Sequence, residues 1–215
     1  MIRFTAAMTI LLTASCTSAR TGGDTRTGPS VSAIRTTFVA QSDSFAAAQR
    51  EYTAIWNREG ARIISTMERI AGIRFDSPPY ADTAITAIVI EGVSNSGFRD
   101  RPMHMRASYP EATKRATLVH ELGHRLQIGV AGSEDEHEVL FLWIYDVWIA
   151  LWGKQFADEQ VIVERARRGP YPVAWDAALA LKSVERAAKF ARLKAHKAAR
   201  PNRSDTATDA SGGTC

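Results

Sequence analysis

Residues 111–152 read EATKRATLVHELGHRLQIGVAGSEDEHEVLFLWIYDVWIALW, and the rest of the chain is organised around them. Pro110 opens a helix that carries HELGH at 120–124 and runs to about Ile128, and the glycine-bounded stretch 129–132 marks the turn that follows. Ser133 with Glu136 three residues later has the spacing of a capping box, and Glu134 and Asp135 stand where a helix N-terminus favours acids. From there to Trp152 the second helix is apolar on nearly every face, which predicts a helix buried inside the domain. Its run of about 14 apolar residues, interrupted by Asp146, falls short of the roughly 20 needed to cross a bilayer.

In a helix, residues four apart project from one face, so His120 and His124 can bind one metal ion through two imidazole nitrogens, with Glu121 beside them. Zinc suits such donors: it lowers the pKa of its water to about 7 and polarises a carbonyl, while Glu121 takes the proton and passes it to a leaving amine. A catalytic zinc needs a third protein ligand and one position open for water. In an antiparallel hairpin with a rise of about 1.5 Å per residue, His137 lies at nearly the depth of His124, and Glu138 is almost as well placed. The preference of zinc for imidazole puts His137 first and Glu138 second. The acids at 134–136 are accounted for by capping, and Asp146, half a helical turn from His137, reads as a buried acid that hydrogen-bonds a ligand or a neighbouring group.

The segments HELGHRL, EHEVLFLWIYDVW and LWGKQFADEQVIVE, within residues 115–170, resemble a group of small predicted bacterial zincin-like metallopeptidases, many of them exported. The resemblance implies the zincin fold, a zinc ion, and a histidine at the position of His137 as third ligand. It supplies no substrate, and HELGH is its one mechanistically specific part. Gln127 and Val130 stand where the extended metzincin motif has glycine and histidine, so that subclass is excluded.

Outward from this centre, MIRFTAAMTILLTASC has a basic Arg3, an apolar run around residues 8–12 and small residues leading to Cys16, the organisation of an export signal. LTASC also resembles the cleavage box of bacterial lipoproteins, which makes Cys16 the expected lipidation site; plain secretion or a periplasmic product is the other outcome. Cys16 and Cys215 are the only cysteines, so no disulfide framework holds the fold. Residues 17–37 are mostly small, polar or basic and predict a flexible tether, and 201–215 has the same character.

Tyr52, Ile55, Trp56, Glu59, Ile63 and Met67 recur at three- and four-residue steps, predicting one long helix over 45–70 with a bend at Gly60. AITAIVIE at 84–91 and MHMRASY at 103–109 suit strands, the second at an edge where an extended substrate could pair, or as an ordinary structural edge. Helices are expected over 154–168 and, after a break at 169–172, over 175–199, the last with Ala177, Leu181, Val184, Ala188, Ala191 and Ala195 as its apolar stripe. The net charge is +4, and the basic residues at 182–203 read as a solvated face, or as a contact with anionic lipid if Cys16 is lipidated. Without aromatic interleaving, and in an exported chain, nucleic acid is excluded as a partner. Tyr109, Tyr145 and His104 could each polarise an oxyanion, and nothing in the sequence selects among them.

The chain therefore divides into a signal peptide at 1–16, a tether at 17–37, a domain at 38–200 and a disordered tail at 201–215. The expected fold is α+β and mainly helical, a zincin-like domain with a small sheet, the HELGH helix and a helical C-terminal half. The expected function is zinc-dependent hydrolysis of peptide or protein substrates, with His120, His124 and His137 on the metal and Glu121 as general base. The location is outside the cytoplasm, with membrane attachment through Cys16. The rival reading is a zinc-binding envelope lipoprotein without turnover, which would have no use for a base at Glu121.

Overall fold

RTTFVA, AITAIVI and MHMR form strands β1 (Arg35–Ala40), β2 (Ala84–Ile90) and β3 (Met103–Arg106), all parallel and in the order β1-β2-β3. The computed structural model describes residues 32–78, 81–97, 101–131 and 137–199. Ile85, Ala87 and Val89 of β2 and Met103 and Met105 of β3 turn one face to the core by the two-residue period of a strand. β1 lies partly inside the stretch expected as a tether, and Ser32 before it is already buried, so the folded domain reaches back beyond residue 38. The cause is physical. Of β1 only Phe38 is buried, and the strand is held by backbone pairing from Arg35↔Ala84 to Ala40↔Val89 rather than by an apolar pattern.

Parallel neighbours cannot be joined by a tight turn. β1 returns to β2 through a 3-10 turn (Asp43–Phe45) and the long helix α1 (Ala46–Ala71), which buries Tyr52, Ile55, Ile63 and Met67 as the spacing predicts. α1 runs unbroken through Gly60, where a bend was expected. A Cβ at Gly60 would fall 2.8 Å from the Trp56 ring, so this glycine makes room for an indole instead of breaking the helix. Glu59 sits on the buried stripe and accepts hydrogen bonds from Trp152 Nε1 (2.7 Å) and Arg62 (2.9 Å), with Arg115 at 3.0 Å. Burial pushes its carboxyl up, but these partners outweigh burial and hold it below the ordinary carboxylate range.

The HELGH helix α2 (Glu111–Ala131) continues past Ile128 and through Gly129. One glycine costs a helix about 1 kcal/mol relative to alanine, too little to end it. α3 (His137–Trp152) is buried along almost its whole length and packs against α1, α2, α4 (Lys154–Arg165), α5 (Tyr171–Leu179) and α6 (Ser183–Ala198), the central position its all-round apolarity predicts. Gly123 lets α2 approach it closely: a Cβ there would fall 2.6 Å from Leu140 Cδ1. Trp143 Nε1 donates to Gln127 Oε1 at 3.1 Å across the same contact.

The C-terminal half departs from expectation in one respect. Instead of one helix over 175–199 there are two, α5 and α6, because Lys182 adopts an extended conformation and its N–H donates to the Glu185 carboxylate at 2.7 Å, starting a new helix. The restart resets the phase, so the predicted stripe does not form. Val184 is 74% exposed, and Arg186 and Phe190 are buried instead. Asp146 draws Arg186 inward at 2.7 Å and accepts from Ser183 Oγ at 3.1 Å, so it ties α6 to α3. The fold is α+β and mainly helical. Among the described residues no helix is long and apolar enough to cross a membrane. The signal segment with Cys16, the tether as far as residue 31, the capping box at Ser133 and Glu136, and the tail at 201–215 lie outside the described residues.

Candidate metal centre

His120 and His124 lie four residues apart on the buried face of α2, 1% and 4% exposed, and His137 is the first residue of α3. Nε2 of His120 and Nε2 of His124 are 3.2 Å apart, and one nitrogen from each of the three rings lies within 4.8 Å of the others. Two nitrogens bound to one tetrahedral zinc, each at about 2.0–2.1 Å, stand about 3.3–3.4 Å apart. The histidine pair therefore already has the spacing of a chelate. Two imidazoles at that distance can also share a proton, and with the third ring near them the set could hold a metal ion. Glu138, the alternative ligand, is exposed and is not among the converging donors.

Glu121 is buried at 3% exposure beside His120 on α2. Its charge acts on His120, Tyr52 and Tyr171, all three of which are shifted upward in part by it.

A fifth group lies outside the motif. Glu164 of α4 places Oε1 2.8 Å from His120 Nδ1, while its Oε2 accepts from Trp175 Nε1 at 3.0 Å. Glu164 is almost fully buried; burial pushes its carboxyl up, but His120, Arg167 and Trp175 outweigh this and hold it ionised, below the ordinary range. Burial lowers His120 in turn, and Glu164 more than offsets that and raises it. A carboxylate at Nδ1 keeps the proton on that nitrogen and leaves the Nε2 lone pair facing the other histidines, the tautomer a metal requires. The signal in the sequence is slight: Ala157, Val161 and Glu164 follow one buried stripe of α4, and an acid on such a stripe needs a partner. If the three histidines hold a metal, Glu164→Gln should weaken its binding by about 10–100-fold, read with added zinc in competition with a chelating dye, with the helical circular dichroism unchanged. Equal affinity in the variant would remove this role from Glu164.

Tyr171 completes the surroundings. Its ring centre is 4.3 Å from that of His137 and 5.8 Å from that of His120, nearly parallel to the latter at 14°. Burial and the neighbouring Glu164 and Glu121 push its hydroxyl up to about 12, against the opposing pull of Arg167, so it stays protonated and able to donate. Of the three groups considered as oxyanion donors, Tyr145 gives its hydroxyl to Asp158 at 2.6 Å and His104 Nδ1 is 3.1 Å from Asn95 Oδ1. Tyr109 is linked to Tyr171 through Arg167, whose guanidinium carbon lies 5.8 Å from one ring and 5.3 Å from the other. Tyr171 escaped notice because the residues at 169–172 read only as a helix break.

The outer edge of β3 is closed. His104 and Asn95 exchange backbone hydrogen bonds at 2.9 and 3.1 Å, and Arg106 N–H donates to Ser94 Oγ at 3.1 Å. A peptide adding as a strand there would first have to displace the 94–95 segment. Against known protein families, curated proteins and solved structures the chain finds no match.

Proposed function

We propose that this protein is a zinc-dependent peptidase of the zincin-like kind, exported and lipid-anchored at Cys16. The observation that carries the catalytic reading is the convergence of His120, His124 and His137 with a buried carboxylate, Glu121, adjacent on the same helix. The export reading rests on Arg3, the apolar run and Cys16. The three imidazoles fit zinc in number, donor type and spacing. Bound there, zinc would supply a water of pKa about 7 and polarise the carbonyl to be attacked. Glu121 takes a proton from the attacking water; as the carbon–nitrogen bond breaks, it returns the proton to the departing amine. Tyr171, protonated and with its ring packed on His137, would donate to the oxygen that gains charge. Glu164 and Trp175 hold His120 in one tautomer and one orientation throughout.

The test is metal analysis of the purified protein together with a peptide library. The protein should hold one zinc per chain and cleave members of the library; a chelator should stop cleavage, and added zinc should restore it. A protein that takes up no zinc, or cleaves equally well after chelation, would end this reading.

A further inference from the structure

The turn between α4 and α5, closed by Gly169 at φ 83°, carries Arg167 to the wall of the metal centre. Its guanidinium carbon lies 5.8 Å from the centre of the Tyr109 ring and 5.3 Å from that of Tyr171, and Tyr171 is in turn packed on His137. Among the described residues the only ionic partner of Arg167 is Glu164, at 4.0 Å, beyond hydrogen-bond reach, and the guanidinium also donates to the Tyr171 hydroxyl, which leaves N–H groups over. The Glu164 oxygens are already engaged by His120 and Trp175. The Arg167 side chain is 22% exposed, so it is not sealed from solvent. A guanidinium packed near two aromatic rings and hydrogen-bonded to one of them loses little freedom on binding, and its planar fork of N–H groups matches a carboxylate.

We propose that Arg167 is the anion subsite of this centre and receives the C-terminal carboxylate of the substrate, so that cleavage falls within one or two residues of the chain end. This rests on the peptidase reading above. An acidic side chain near the scissile bond offers the same chemistry. The closed edge of β3 favours the chain end, because Asn95 and Ser94 occupy backbone groups that would otherwise hold a long extended substrate on both sides of the cut.

The experiment uses the full zinc-loaded protein and acetylated pentapeptides in three forms: a free C-terminal carboxylate, a carboxamide, and a carboxamide with glutamate as the last residue. Cleavage is followed by mass spectrometry. Binding of the matching reduced-bond analogues, which cannot be cleaved, is followed by calorimetry. The free carboxylate should be cleaved and bound about tenfold better than either carboxamide. In Arg167→Gln the ratio should fall below about twofold with zinc content unchanged. If the glutamate carboxamide matches the free acid, assignment to the chain end is overturned. Equal cleavage of all three forms overturns the subsite and leaves the peptidase reading standing. Selective binding without any cleavage supports the subsite and removes the peptidase reading. Should the variant fail to fold, the wild-type ratio alone decides, since a value near one overturns the proposal.

Discussion

Glu121→Gln should lower peptide cleavage by about 10²–10⁴-fold while the protein keeps its zinc. The substitution preserves the volume of a side chain that is 3% exposed, so packing on α2 is undisturbed, and it removes the negative charge together with the capacity to accept and return a proton. Zinc content and thermal midpoint should therefore match the wild type. The separation of chemistry from binding is the content of the prediction. If a wild-type cleavage activity survived in the glutamine variant undiminished, Glu121 would have no catalytic role, and the zinc-binding envelope lipoprotein without turnover would be the better account of HELGH.

His137→Ala should behave in the opposite way, losing metal, activity and stability together, whereas Glu138→Ala should leave all three close to wild type. His137 is one of three converging donors, and Glu138, one residue further along α3, is exposed. A ligand that binds only the folded state stabilises it by about 2.7 kcal/mol when present at 100 times its dissociation constant. Loss of about 100-fold in zinc affinity should therefore remove most of the zinc-dependent rise in melting temperature, measured with and without a chelator. Retention of zinc in His137→Ala with loss in Glu138→Ala would make the site one with a glutamate ligand.

The helices that build the centre were legible because their signals are local. HELGH needs only the four-residue period of one helix, the burial of α3 follows from apolar residues on all its faces, and the depth of His137 follows from helix rise across a short turn. Glu164, Arg167 and Tyr171 were not legible because they reach His120 and His137 only after α4 and α5 have packed around α3. β1 was lost to its composition, since a strand with one buried side chain has no pattern to read. The break before α6 is a different failure: Glu185 capping Lys182 is a three-residue signal, and alanines at regular spacing masked it. Alanine buries too little area to decide which face of a helix turns inward, and the ion pair of Arg186 with Asp146 accompanies the opposite choice.

Gly123 gives the hairpin the character of a calliper. One jaw is α2 with His120 and His124, the other is α3 with His137, and the gap between them is closed to the point where a single methyl group on residue 123 would meet Leu140 at 2.6 Å. The same methyl would strengthen α2 as an isolated helix by about 1 kcal/mol. Helix strength and jaw opening are thus set at one position and pull against each other. A residue outside the histidine cluster bears on how closely the two helices that carry the histidines approach, and selection for a more robust helix would act there against selection for that close approach.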